Sequence, residues 1–196
     1  MDKLSGTAVS RRTMLKATVA TVGFGAVLIA SQSLGGTSAH ADDSTAYDLP
    51  TAAEIDQYLS SVSKPGFTDL AGIRAEYLDA SVNFPFALPA GGTFPANSSL
   101  RNSDSDSDRK MEPETWERGI GIAEAYFVWQ AATVSAAHHA QSDGNSVESN
   151  RLLDALDAGY ASPVRKAILE DPDGHFPSAI DQARKGDFTS LAGLAA

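Results

Sequence analysis

The chain contains no cysteine. That removes disulfides, thiol nucleophiles, and zinc or iron–sulfur sites held by thiolates. Basic residues are scarce, with 15 Lys and Arg against 25 Asp and Glu. A surface so acidic repels phosphate backbones and anionic lipid, so nucleic acid is not an expected partner. No Gly-x-Ser-x-Gly elbow, phosphate-binding glycine loop, dinucleotide fingerprint or HExxH pair occurs. Runs of alternating strand residues are missing as well, and the longest apolar run, Ala17 to Ala30, is too short for the roughly 20 residues that span a bilayer. No stable membrane anchor is expected, and no cofactor is implied.

What is present begins with an address. Ser10-Arg11-Arg12-Thr13-Met14-Leu15-Lys16 is a paired-arginine block, followed by the Ala17–Ala30 run and by Ala39-His40-Ala41, a small-x-small cleavage site. This resembles the signal peptide of the bacterial twin-arginine (Tat) export route, with Arg11 and Arg12 as the recognition pair. The resemblance implies export by the Tat machinery, a route that carries folded proteins, sometimes with a co-exported partner. Residues 1–41 are expected to be removed and 42–196 to form one domain. The first 41 residues hold four basic residues and one acid, leaving 11 basic against 24 acidic residues, a net charge of −13.

Along the remaining chain the periodicity is helical. Thr51-Ala52-Ala53-Glu54 is a capping box, and Ile55, Tyr58, Leu59 and Val62 share one face behind it. Lys64-Pro65-Gly66 stops that helix. A second, starting near Thr68 or Asp69, places Leu70, Ile73, Tyr77 and Leu78 on one side, which predicts a helical hairpin. Residues 81–111 lose the pattern: Phe84-Pro85-Phe86, Leu88-Pro89-Ala90-Gly91-Gly92 and Phe94-Pro95 exclude regular helix, while the phenylalanines indicate a loop lying on the body. The run Ser103 to Asp108 alternates serine and aspartate. A calcium loop counted from Asp104 needs Gly sixth and Glu twelfth, where this chain has Arg109 and Thr115, so the run reads as a solvated linker.

The stretch from Pro113 to His139 predicts the longest helix, with Trp116, Ile120, Ala123, Phe127, Ala131, Val134 and His138 along one stripe and Ile122, Tyr126, Trp129 and Thr133 along another. Two stripes imply a central helix covered on most sides, and Gly119, Gly121 and the alanines would let neighbours approach closely. Shorter helices are expected over 146–158 (ending at Gly159), from Ser162-Pro163, over 177–185 and over 187–194. The fold class is all-α.

Chemistry, if any, gathers on the central helix. Glu124 sits among apolar neighbours and is a candidate ligand or proton-carrying group if buried, the alternative being an ion pair with Arg151 or Arg165. Tyr126 and Trp129 could line a ligand pocket or simply be core. His138 and His139, about 100° apart on a helix, would need His175 and acids to complete a metal site; the alternative is a favourable charge at a helix end.

Two further resemblances complete the reading. The segments Gly119-Ile120-Gly121, Tyr126 to Trp129, Asp171-Pro172-Asp173 and Ala183 to Asp187 resemble uncharacterised secreted proteins of actinobacteria, which imply no activity. Leu59-Ser60, Leu70 and Tyr77-Leu78 are similar to the start of small Tat-exported subunits of flavin-dependent sugar dehydrogenases, though their Trp-Tyr-x-Gly segment is missing here. The expected function is that of an exported, non-catalytic binding, escort or accessory protein; the alternatives are such an oxidoreductase subunit, or an enzyme or cofactor binder using Glu124 and the histidines.

Overall fold

The computed structural model describes residues 48–100, 115–169, 171 and 173–195. Arg11, Arg12, the cleavage site after Ala41, the Ser-Asp run 103–108 and Pro113 lie outside the described residues. Within them the fold is all-α, with seven helices and one pair of two-residue strands.

Helix α1, Ala52–Val62, opens on the expected capping box. The Glu54 carboxylate accepts from the Thr51 amide at 2.7 Å, and the Thr51 hydroxyl accepts from the Glu54 amide at 3.3 Å. It buries Ile55, Tyr58 and Val62. Gly66, with a left-handed φ of 99°, turns the chain into strand β1, Phe67–Thr68. Helix α2, Leu70–Val82, is capped by Asp69, whose carboxylate accepts from the Gly72 amide at 2.8 Å. Helices α1 and α2 touch, as the expected hairpin requires, but each also packs elsewhere. The turn and strand between them redirect the chain, so α2 packs along the central helix while α1 sits over α5 (Pro163–Ile168).

Residues 83–100 are irregular, as the prolines and glycines predict. They are pinned to the body by side chain-to-backbone bonds: the Trp129 indole donates to the Ala87 carbonyl at 3.0 Å and the Tyr77 hydroxyl to the Pro95 carbonyl at 2.9 Å.

The long helix differs from its sequence reading at its start. Trp116–Glu117 is extended, forming strand β2, and pairs antiparallel with β1 in the register Phe67 to Glu117 and Thr68 to Trp116. The Arg118 amide continues this pairing to the Gly66 carbonyl at 2.9 Å. Gly119 then takes a left-handed φ of 105°, which only glycine adopts without strain, and helix α3 runs from Ile120 to Ser142. Trp116 therefore belongs to the strand pair. The apolar period that includes it is real, but a left-handed residue cannot sit inside an α-helix.

Helix α3 is the axis of the fold, with α2 and helix α4, Ser146–Ala161, on either side. Gly121 fits the close approach to α2: a Cβ there would lie 2.5 Å from the Tyr77 backbone nitrogen. Helix α4 continues through Gly159, where the missing side chain leaves room for the ring of Trp129. Helices α5, α6 (His175–Ala183) and α7 (Thr189–Ala195) close the far side through Val164, Ile168, Phe176, Ile180 and Leu191. Among the described residues no helix is long and apolar enough to cross a membrane.

Candidate functional site

Glu124 is buried, with 7% of its surface exposed. Its partners are neither of the expected arginines. Ser98 donates its hydroxyl to one carboxylate oxygen at 2.6 Å, and Ser99 gives the other oxygen its backbone amide at 2.5 Å and its hydroxyl at 2.7 Å. Three donors on one carboxylate satisfy most of its lone pairs and tie the end of the irregular segment to α3. The arginines are engaged elsewhere. Arg151 grips Glu148 through two nitrogens, while Arg165 donates to the Leu169 carbonyl at 2.7 Å and lies 4.0 Å from Asp171.

Glu76 is the second buried acid. It projects from α2 and accepts from the Gly119 amide, so it holds the residue that starts α3.

Trp129 is fully buried between Phe86, 4.8 Å away by ring centroids, and Tyr126, at 5.6 Å. Phe84 touches Tyr58, Phe86, Phe94, Tyr126 and Trp129, making one aromatic cluster beneath the irregular segment. Two rings of this cluster, Tyr58 and Tyr126, carry buried hydroxyls with no hydrogen-bond partner among the described residues. Burial pushes both phenols well above their ordinary range. Glu76 adds to the effect at Tyr58, and Tyr160 adds to it at Tyr126, where Arg165 opposes it. Tyr77, bonded to Pro95, is pushed up to about 12 by burial and by Glu124. Sequence periodicity reads these rings as core, and packing agrees; the two unanswered hydroxyls are the unusual element.

A second aromatic group lies beside it. Tyr160 stacks on Phe176 with centroids 5.5 Å apart, the Arg165 guanidinium sits 4.5 Å over the Tyr160 ring, and the Tyr160 hydroxyl donates to Asp171 at 2.8 Å. Asp171 also accepts from the His175 and Phe176 amides, capping α6.

The histidines lie at the surface. His138 stacks on Phe188 at 5.0 Å, His139 is exposed in the last turn of α3, and His175 opens α6, 3.7 Å from Asp173. Among the described residues no three His, Asp or Glu side chains gather as a metal ion would require.

The feature that sequence reasoning missed is the outer face of α2. Ile73, Glu76, Tyr77 and Ala80 point inward, and the opposite side presents Ala71, Ala75, Leu78 (42% exposed) and Val82 (80% exposed). Its signal was available: α2 is apolar on two sides, and only one side can face the core. Phe67, half exposed, precedes it on β1.

No protein-family model matches this chain, and no match was found among curated proteins or solved structures.

Proposed function

We propose that this protein is an exported, non-catalytic helical binding or accessory protein, and that the outer face of α2 is where it meets its partner. One observation carries the reading: α2 presents an uncovered apolar stripe, among the described residues, opposite the face it buries. Four apolar side chains in a row at helical spacing on the surface of an acidic protein are costly to leave in water, and such patches favour association. The groups that an enzyme reading would use support it by their engagement. Glu124 is bonded to Ser98 and Ser99, and the histidines are dispersed. Export by the Tat route rests on the Arg11-Arg12 block and the Ala39-His40-Ala41 site.

The test is purification of the full chain, expressed with its own leader in an actinobacterial host, beside Leu78→Asp/Val82→Asp and a control, Val147→Asp, at an exposed apolar site on α4. The expected result is a stoichiometric protein partner, or self-association, lost in the α2 variant and kept in the control. A stoichiometric metal or flavin in the purified protein would overturn the reading.

A second reading, small-ligand binding, is favoured by the Tyr58 and Tyr126 hydroxyls. Two buried hydrogen-bond donors without a partner among the described residues, each on a ring packed against Phe84, match a flat apolar molecule carrying acceptor atoms. Native mass spectrometry of the purified protein distinguishes it by an added small-molecule mass that Tyr126→Phe removes.

A further inference from the structure

We infer that the partner of the α2 face is a second copy of this chain, packed side by side with α2 parallel to its counterpart; this rests on the reading of α2 as the binding face. The exposed residues of α2 carry a register. Ala71, Ala75, Leu78 and Val82 are separated by four, three and four positions, the spacing of the central seam of a two-helix coil. The residues bordering that seam are Arg74 on one flank and Asp79 on the other, both exposed and of opposite charge.

The flanks decide the orientation. When two identical helices pack in parallel about a two-fold axis along their length, the flank preceding the seam on one copy faces the following flank on the other, five residues further on. Arg74 is five residues before Asp79. Parallel pairing therefore sets Arg74 against Asp79 of the second copy, and the symmetry makes the ion pair twice. Antiparallel pairing brings like flanks together, Arg74 beside Arg74 and Asp79 beside Asp79, and is disfavoured.

Present contacts leave both groups able to do this. Arg74 gives one nitrogen to the Leu100 carbonyl at 3.0 Å, which leaves most of its donors for another acceptor. Asp79 has a long, exposed ion pair with Lys64 at 3.9 Å. Ala71 and Ala75 keep the seam narrow, so the two backbones can approach closely while Leu78 and Val82 fill the space between them. The α2–α3 packing uses the opposite side of the helix and is undisturbed.

The seam is short, and two acidic molecules repel one another. The dimer is therefore weak, in the range of roughly micromolar to millimolar dissociation constants seen for small interfaces.

The experiment is sedimentation velocity on the full chain from about 10 µM to 1 mM, joined to disulfide trapping. The expected result is a concentration-dependent doubling of mass, lost in Leu78→Asp. Arg74→Asp and Asp79→Arg should each weaken it about tenfold, and the double swap should restore it. In this cysteine-free chain, Leu78→Cys should form a symmetric intermolecular disulfide under mild oxidation, because parallel pairing sets residue 78 against itself within the few ångströms a disulfide bridges. Val147→Cys, at a more exposed site, should not.

A single mass across the whole range overturns the inference, as does a dimer unaffected by Leu78→Asp, a double swap that fails to restore, or trapping no faster at 78 than at 147. A monomer that still loses a different bound protein on Leu78→Asp/Val82→Asp would overturn self-pairing and leave the binding face standing. A monomer that binds nothing through α2 would overturn both.

Discussion

The indole of Trp129 fills the space that a side chain at residue 159 would need. A Cβ on Gly159 would overlap the far edge of the Trp129 ring, so α3 and α4 fit only in this combination. Gly159→Ala is expected to destabilise the fold by about 1–3 kcal/mol, as overpacked cores do, despite alanine's better helix propensity. Chemical denaturation checks it. In the Trp129→Phe background the same substitution should cost less than half as much, and an equal cost in both backgrounds would refute the fit.

Glu124 is expected to act as a structural anchor. Glu124→Ala removes the acceptor of three donors and should cost about 1–3 kcal/mol, chiefly the lost charge-assisted bonds, since the exposed Ser99 can turn to water. Amide hydrogen exchange should speed up at Ser99 before it changes in α4. Exchange that rises evenly through the molecule would show that the anchor is not local.

The alkaline limb of stability should carry the tyrosines. Tyr77 is pushed up to about 12, and the Tyr58 and Tyr126 phenols are also raised. A raised folded-state pKa means stability that is complete below the ordinary tyrosine range and lost as pH climbs through it toward the folded value. Unfolding titrations from pH 8 to 12 should show this loss. Tyr126→Phe should shrink it and leave neutral-pH stability unchanged or higher, since the hydroxyl it deletes has no partner among the described residues. A marked loss at neutral pH would instead reveal a bound water or ligand on that hydroxyl.

Acid should act through Asp171. Burial raises its carboxyl pKa, but the Tyr160 hydroxyl, the Phe176 and His175 amides and Arg165 outweigh that and hold it below the ordinary Asp range. With a depressed folded-state pKa, the stabilisation is present above that ordinary range and disappears as pH falls through it toward the folded value. Asp171→Asn should flatten the stability profile there, as unfolding titrations from about pH 2 to 6 would show.

Much of this architecture is legible in the sequence, because its causes are local. The capping box at Thr51, the Asp69 cap, the Ser162-Pro163 start and the irregularity of residues 83–100 each depend on residues within a few positions. The start of α3 is hidden because its cause is distant: β1 lies in another part of the chain, and pairing with it keeps Trp116–Glu117 extended. Gly159 reads locally as a helix stop and serves instead to seat Trp129, another long-range cause. The candidate site divides in the same way. That Glu124 is an acid among apolar neighbours can be read directly, but its serine partners come from about 25 positions away. His138, His139 and His175 look related in composition and lie at separate helix ends, which periodicity cannot decide.

The strand pair has a kinetic consequence. Phe67 and Glu117 stand about fifty positions apart, so closing that two-residue ladder costs chain entropy of about 3 kcal/mol with few bonds in return. The α3–α4 contact, by contrast, is joined through only Asp143, Gly144 and Asn145. Contact order thus favours the α3–α4 pair as the early structure, with the ladder closing late. Trp116 lies in the ladder, so its fluorescence should report that late closure, while Trp129, bonded to Ala87 and packed on Phe86 about forty positions away, should report the docking of the irregular segment on α3.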